Sequence, residues 1–242
     1  MMVQQTAGGS AATRVRDAAT VIALRNRHGT PSVLMGQRGA GAAFMPSKFV
    51  FPGGAVDPAD AQVPLAAPLP QPCGKRLREQ CRTDLSHALA VAAIREMHEE
   101  TGLILGTPGA WPGPVPEGWA GFAARGYRPS AQALQFVFRA ITPPGRPRRF
   151  DARFFLVDAD AIAGDPDDFS AASDELRHLR WAPLAEVRTL DLPFITEVVL
   201  AEIAARLHDP APPASVPFFR NDDEESLFLR LSGALPPRSP RG

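Results

Sequence analysis

Apolar runs separated by turn-forming residues predict several β-strands. Residues 18–24 and 32–36 are mostly apolar and flank residues 26–29, whose Asn and Gly favour a turn, so this stretch predicts a β-hairpin. A further apolar run ends abruptly at Pro-Gly-Gly, residues 52–54. The strands predicted after the hairpin cover residues 49–51, 133–141, 149–157 and 176–181.

Apolar residues three and four positions apart predict two longer helices. The first begins near Asp84 or Ser86, either of which can cap it, and runs to about Thr101. Its apolar stripe, which should pack on a sheet, consists of Leu89, Ala90, Ala93, Ile94 and Met97. The second helix covers residues 194–207. Helices that cover a mixed sheet predict an α/β fold.

Shorter elements complete the predicted domain. The basic residues 75–82 and the proline-initiated residues 116–125 each predict a short helix. Trp119 and Phe122 lie three positions apart and are interpreted as core residues. The chain has 242 residues and is 45% hydrophobic, which predicts one domain over residues 14–234. Residues 1–13 and 235–242 are predicted to be mobile tails, and residues 61–83 look inserted.

Charge and cysteine content limit the kinds of partner and the cellular compartment that we expect. The chain has 26 basic and 26 acidic residues, so its zero net charge favours neither nucleic acid nor a membrane surface as partner. No run approaches the roughly 20 apolar residues of a membrane span. Cys73 and Cys81 match neither a zinc nor a redox spacing and are interpreted as structural thiols of a reducing compartment. We therefore expect a cytoplasmic protein.

Three glutamates crowd the end of the first long helix. Glu96, Glu99 and Glu100 lie on one side of it, because helical positions three and four apart are neighbours. Gly102 predicts the helix end, so the carboxylates also meet the negative end of the helix dipole. A divalent cation such as Mg²⁺ would relieve both repulsions. Spacing alone also allows a solvated acidic helix end.

The residues around this helix resemble the signature of Nudix hydrolases, G-x5-E-x7-R-E-U-x-E-E-x-G-U, where U is a bulky aliphatic residue. The second half matches from Arg95 through Leu103. In the first half, Gly54-x5-Asp60 has aspartate in place of glutamate, and the spacer before Arg95 is much longer than seven residues. Asp60 is taken as the counterpart of that glutamate, in preference to His87, which normal spacing would select. The substitution leaves open whether Asp60 pairs with Arg95.

An insertion inside the signature looks like the peroxisomal type of acyl-coenzyme A diphosphatase within this family. The same subgroup is suggested by Gly36-Gln37-Arg38 and Phe44-Met45-Pro46 upstream of the glycine turn. The resemblance covers most of residues 18–207. It implies a Nudix-type α/β/α sandwich, with a mixed sheet flanked by helices and the insertion between the Gly-Gly turn and the signature helix.

The resemblance also implies roles for individual residues. Mg²⁺ or Mn²⁺ would be held by Gly53, Glu96, Glu99 and Glu100 and would activate a water for in-line attack on a diphosphate. Glu100 and Glu175 are both candidate general bases, with Glu175 ranked lower. The complete set of candidate catalytic residues is Glu99, Glu100, Glu175 and Arg95. Arg95 should orient the loop beneath the metals.

Arginines are the candidate substrate-binding residues. Strand alternation places Arg149 and Arg153 on one face and Phe150, Ala152 and Phe154 on the other. Guanidinium groups suit a polyphosphate ligand, although charged loops are often only solvated. The set consists of Arg38, Arg146, Arg149 and Arg153.

The resemblance implies a small-molecule nucleoside diphosphate substrate, with coenzyme A or acyl-coenzyme A first and two monophosphates as products. Two alternatives remain open. One is a pyrophosphatase for ADP-ribose or a nucleoside diphosphate sugar, which needs the same metals. The other is a Nudix-like module that senses a nucleotide without cleaving it. The family also suggests a homodimer.

Overall fold

The computed structural model describes residues 14–81, 83–221 and 226–233, and in these a large mixed sheet lies between helices. The strands are β1 (Val15–Arg25), β2 (Ser32–Arg38), β3 (Phe49–Val50), β4 (Gly53–Ala55), β5 (Gly106–Pro108), β6 (Tyr127–Pro129), β7 (Gln135–Ile141), β8 (Arg149–Asp158), β9 (Leu176–Pro183), β10 (Val216–Asn221) and β11 (Ser226–Leu231). The helices are α1 (Cys73–Arg78), α2 (Ser86–Thr101), α3 (Ala120–Ala124) and α4 (Phe194–Ala205). Short 3₁₀ turns occur at Pro58–Gln62, Ala159–Ala161 and Val187–Thr189.

The main sheet contains nine of the described strands. Its path runs β11-β10-β7-β8-β1-β2-β3, while β4 pairs with β1 and β9 pairs with β2. The β1–β8 and β10–β7 pairs are parallel and the other pairs are antiparallel, so the sheet is mixed. Strands β5 and β6 form a separate antiparallel ribbon.

Central strand β1 is buried on both faces, which explains its nearly continuous apolar sequence. Ala19 and Val21 pack on the α2 side, and Ile22 and Leu24 pack on the opposite side. Each fully buried Leu or Ile contributes about 2 kcal/mol by leaving water. The strand therefore packs against the helical layers on both faces of the sheet.

The two faces of the sheet have separate cores. The α2 face includes Leu89 and Ile94 of the helix with Phe155 of β8, and the other face includes Val199 and Ile203 of α4. This arrangement confirms the predicted α/β fold, with a mixed sheet flanked by helices.

The boundaries differ from the predictions at several elements. The hairpin and both long helices are present, but α4 ends at Ala205 and α1 spans Cys73–Arg78. Helix α2 follows Leu85, which makes no side-chain cap, and Asp84 instead accepts the N–H of Ser86 at 3.0 Å. Strands β4, β5, β6, β10 and β11 were not predicted. The proposed tails, residues 1–13 and 235–242, lie outside the described residues.

The segment between the glycine turn and α2 is part of the folded core. Val63, Cys73 and Leu77 are buried in the α2-side core. Arg76, also buried, donates from Nη2 to the carbonyl of Ala214 at 2.9 Å, which links α1 to the region before β10. Among the described residues, none of the helices combines the length and apolar character needed to cross a bilayer.

Candidate active site

The C-terminal end of α2 carries the glutamate cluster. Gly102 ends the helix with φ of 77°, a left-handed conformation that favours glycine, and its N–H bonds the carbonyl of His98 at 2.8 Å. Glu100 is only 1% exposed, the Glu96 side chain is largely buried, and the Glu99 side chain is 43% exposed. The cluster is therefore not a fully solvated helix end.

The glycine turn packs directly against these glutamates. The N–H of Gly53 donates to Oε2 of Glu100 at 2.7 Å. A Cβ on Gly53 would lie 2.5 Å from the carbonyl oxygen of Ala19, and a Cβ on Gly54 would collide with the carboxylate of Glu96. Gly53 is thus needed because the backbone of β1 leaves no room for a side chain, whereas a Cβ on Gly54 would displace the Glu96 carboxylate.

Glu100 is the most perturbed group of the cluster. Burial raises its pKa well above the ordinary value, the Gly53 N–H opposes this shift, and the nearby charges of Glu96 and Glu175 add to it. Its second oxygen, Oε1, is buried and has no hydrogen-bond partner among the described residues. A buried carboxylate oxygen without a donor is costly, which makes this atom a candidate ligand for a cation or a proton.

Arg95 joins the glutamates to the glycine-turn segment. Its Nη1 lies 2.7 Å from Oε1 of Glu96 and 3.0 Å from Oε2 of Glu99. Its Nε and Nη2 donate to the two carboxylate oxygens of Asp60 at 2.9 and 3.1 Å. Asp60 therefore does pair with Arg95, the question that its replacement of glutamate left open.

Asp60 is itself held in place. It is buried, and its Oδ2 also accepts the N–H of Asp57 at 2.8 Å as part of a capping box on the 3₁₀ turn. The paired Arg95 donates from Nη2 to the carbonyl of Ala55 in β4 at 3.1 Å. The arginine consequently connects the 3₁₀ turn, β4 and the end of α2, while its orienting role stays a prediction.

A loop before β9 adds a fourth carboxylate. The N–H of Ser173 donates to the carbonyl of Glu99 at 2.9 Å, which fixes this loop on the end of α2. Glu175 follows, half-exposed, and pairs with Nη2 of Arg38 at 2.9 Å. Burial is the main cause that raises the pKa of Glu96, and the charges of Glu99 and Glu175 also raise it. The structure thus brings together Arg38, Gly53, Arg95, the three helix glutamates and Glu175.

The donor set fits a divalent cation, although the described residues contain no preassembled group of three His, Cys, Asp or Glu ligands. Carboxylate oxygens are the preferred ligands of Mg²⁺, and Oε1 of Glu100 is buried without a partner. Glu96 and Glu99, by contrast, hold Nη1 of Arg95. The residues fit the metal, but two of them are engaged by a cationic side chain.

Arg149 and Arg153 lie elsewhere, in a cavity of about 550 Å³ on the α2 face of the sheet. The cavity also adjoins Thr83 and Leu85, just before α2 begins, whereas Glu100 is near the end of that helix, about 21 Å further along its axis. The predicted alternation is confirmed, because Ala152 and Phe154 pack on the opposite face. Arg146 is exposed on the loop before β8.

Both cavity arginines already have protein partners. Arg153 is 1% exposed and contacts Asp17 at 2.5 Å and Asp151 at 3.1 Å. Arg149 donates to the carbonyls of Thr142 and Asn221 at 3.0 and 3.1 Å. Substrate binding by these arginines therefore stays a prediction.

Sequence reasoning missed the acidic partners in this cavity and Arg139. Asp151 receives Nε and Nη2 of Arg139 at 2.8 and 2.6 Å, besides pairing with Arg153. The same alternation that placed Arg149 and Arg153 on one face puts Asp151 between them, which was the available signal. Asp17 comes from β1 and is brought alongside by the parallel β1–β8 pairing.

Trp119 and Phe122 are core residues, as the sequence predicted, and the two cysteines differ in exposure. Trp119 and Phe122 are buried in the α2-side core, with ring centroids 5.3 Å apart. Cys73 and Cys81 are free, Cys73 being buried and Cys81 partly exposed. Burial raises the pKa of the Cys73 thiol, as expected for an inert structural cysteine.

Comparison with known proteins finds similarity to Nudix hydrolases. No model of a known protein family matches the chain. A curated Caenorhabditis elegans protein, "Putative nudix hydrolase 7", is 28% identical over 185 residues, covering 72% of this chain and 53% of that protein. The chain therefore spans about half the length of this relative.

A solved structure shares the fold. The crystal structure of a NUDIX hydrolase from Alicyclobacillus acidocaldarius is 28% identical, with a TM-score of 0.60 over 81% of this chain and 94% of that chain. The mixed α/β fold described above matches this Nudix structure. Both the sequence relative and the solved structure to which the chain is similar are Nudix hydrolases.

Proposed function

We propose that this chain hydrolyses a diphosphate linkage in a nucleoside diphosphate derivative with the help of Mg²⁺ or Mn²⁺. The proposal rests on Oε1 of Glu100, which is buried and has no hydrogen-bond partner among the described residues. The other oxygen, Oε2, accepts the N–H of Gly53 in the glycine turn. A structural helix end would not retain an atom like Oε1 at a cost of about 1–3 kcal/mol. This unpartnered oxygen is explained if it binds a cation or takes up a proton during the reaction.

The metal would be held by Glu96, Glu99, Glu100 and the Gly53 carbonyl. When bound, it would screen the diphosphate charge and lower the pKa of a water. The chain's own part is to position these groups: Gly53 orients Glu100 by its N–H, and Arg95 fixes the turn below. Of the two candidate bases, we favour Glu100, because it is buried and oriented by the Gly53 N–H, whereas Glu175 is half-exposed and paired with Arg38.

Coenzyme A or acyl-coenzyme A is the substrate that we propose first. It is supported by the Gly36-Gln37-Arg38 and Phe44-Met45-Pro46 sequences and by the long spacer inside the signature. Arg38 adjoins the cluster through its ion pair with Glu175, so it is placed to meet a substrate phosphate. ADP-ribose or a nucleoside diphosphate sugar is the alternative, because it would use the same carboxylates.

A hydrolysis screen tests the proposal. The full chain would be incubated with Mg²⁺ and acyl-coenzyme A, coenzyme A, ADP-ribose or dinucleotides, with Glu99→Gln as the matched variant. We expect release of 3′,5′-ADP by the wild type and a loss of at least about 100-fold in the variant. AMP with a sugar phosphate would instead select the alternative substrate class.

The sensing module remains the rival of another class. If the wild type and Glu99→Gln were equally inactive on every diphosphate while the wild type bound one tightly, sensing would replace hydrolysis. We further propose a cytoplasmic homodimer with a small-molecule substrate and no nucleic acid or membrane partner. The two free cysteines support the location, and the balanced charge supports the expected partners. Analytical ultracentrifugation would test the dimer.

A further inference from the structure

Arg95 makes two different kinds of contact with its three guanidinium nitrogens. Nε and Nη2 hold the buried Asp60, and Nη2 also reaches the carbonyl of Ala55. Only Nη1 faces the glutamates, at 2.7 Å from Glu96 and 3.0 Å from Glu99. Arg95 therefore binds Asp60 and the glutamates through different nitrogens. The contacts of Nη1 can be broken while those to Asp60 remain.

The positive Nη1 group reduces the repulsion among the carboxylates of the cluster. Glu96 and Glu99 repel each other and Glu175, and a positive nitrogen between the first two reduces that repulsion. Charge-assisted hydrogen bonds of this kind are about twice as strong as neutral ones. A divalent ion at the same oxygens would be repelled by the guanidinium, so both cannot occupy them.

We propose that Arg95 is a positioning residue that serves as an internal counter-cation. It holds Glu96 and Glu99 when no metal is bound and releases Nη1 from them, while keeping Asp60, when a divalent ion binds. This inference rests on the proposed function, since it presumes that these glutamates are metal ligands. Its consequence is that Arg95 keeps the metal-free cluster ordered and weakens metal affinity.

The test removes the competitor without changing net charge. In the double variant Arg95→Met/Asp60→Asn, one positive and one negative charge are lost together, so Asp60 is not left buried and unpaired. The matched control is Arg27→Met/Asp158→Asn, which deletes another ion pair, 2.6 Å long, outside the cluster. Mn²⁺ affinity would be measured by calorimetry and by the electron paramagnetic resonance signal of free Mn²⁺.

We expect Mn²⁺ to bind the double variant about tenfold more tightly than the wild type, because no charge-assisted bond must be broken first. The control should remain within about twofold of the wild type. Unchanged or weaker binding by the double variant would overturn the role of Arg95 and leave the proposed function intact. Absence of Mn²⁺ binding by the wild type would overturn the proposed function together with this inference.

A structural measurement covers a double variant that fails to fold. In a crystal structure of the wild type with Mn²⁺, Arg95 should keep both contacts to Asp60 while Nη1 moves beyond 4 Å from both Glu96 and Glu99. Retention of either Nη1 contact beside a bound ion would contradict the proposal. Loss of the Asp60 contacts would contradict it as well, because the two sets of contacts would then not be independent.

Discussion

The backbone N–H of Gly53 lies 2.7 Å from Oε2 of Glu100, a hydrogen bond between residues 47 positions apart. It joins the glycine turn after β3 to the last turn of α2. The turn also lies against β1, where Thr20 is the partner of Gly53 in the sheet. Glu100 is thus oriented by the main chain of the sheet rather than by another side chain.

Replacing each glycine of the turn should have a different effect. Gly53→Ala should destabilise the protein by about 3 kcal/mol, because the new Cβ would meet the backbone of Ala19 and Thr20 and φ is +157°. Gly54→Ala should cost less stability, since its Cβ meets only the movable end of Glu96. It should weaken Mn²⁺ binding instead. Urea unfolding and calorimetry would separate the two effects, and equal losses of stability would contradict this account.

The raised pKa of Glu100 predicts a pH dependence of stability without metal. The folded state holds this proton more tightly than the unfolded state, whose pKa is near 4.5. The free energy of unfolding should therefore fall as pH rises from about 4.5 toward the folded pKa, and Glu100→Gln should lack this contribution. Urea unfolding of both proteins at pH 5 and pH 8, with a chelator, checks it. The prediction would be contradicted if the free energy of unfolding of the wild type rose with pH relative to that of Glu100→Gln.

Substitutions of the two candidate bases should lower kcat by different amounts. Glu100→Gln should lower kcat by about 100-fold or more, the usual contribution of a general base together with a metal ligand. Glu175→Gln should lower it by less than about tenfold, because Glu175 is half-exposed and paired with Arg38. Steady-state rates on the substrate identified by the screen would decide, and the reverse order would make Glu175 the base.

The acidic residue between the cavity arginines should matter for stability. Asp151→Asn should destabilise the fold by about 3 kcal/mol, because it leaves the buried Arg139 and Arg153 with a weaker partner. Mn²⁺ affinity should not change, since the cavity adjoins the start of α2. Asp167→Asn is the matched control, because it breaks a more exposed pair with Arg25. A large loss of Mn²⁺ affinity in Asp151→Asn would link the two regions.

The two thiols should react at different rates. Cys81 is partly exposed, whereas Cys73 is buried and its pKa is raised by burial. A disulfide reagent should therefore modify one thiol per folded chain quickly and the second only on unfolding. Cys81→Ser should abolish the fast phase and Cys73→Ser should not. A fast phase that survives in Cys81→Ser would contradict the assignment.

Elements with long local periodicity could be predicted from the sequence. The hairpin β1–β2 and helices α2 and α4 follow from apolar patterns that tertiary packing did not override. Strands β10 and β11 were missed, although Leu227, Leu229 and Leu231 alternate, because Pro217 and the acidic residues 222–225 interrupt the pattern. Strands β5 and β6 have three residues each, too few for periodicity.

The glutamate cluster was more predictable than its surroundings. Helical spacing placed Glu96, Glu99 and Glu100 together, and the motif added Gly53. The contact of Nη1 of Arg95 with two of these glutamates could not be anticipated, because it depends on where the long spacer returns Asp60. Long-range pairing likewise decides that Asp17 faces Arg153.

Strand β10 makes contacts beyond its backbone pairing in the sheet. It pairs with β7, and the ring of Phe218 lies 4.2 Å from the guanidinium of Arg139. Next to β11, Gly233 donates its N–H to Glu79 at 2.7 Å, just beyond α1. Proteolysis after α4 would bare the backbone of β7, so the shortened chain should self-associate through that strand and precipitate on mild warming.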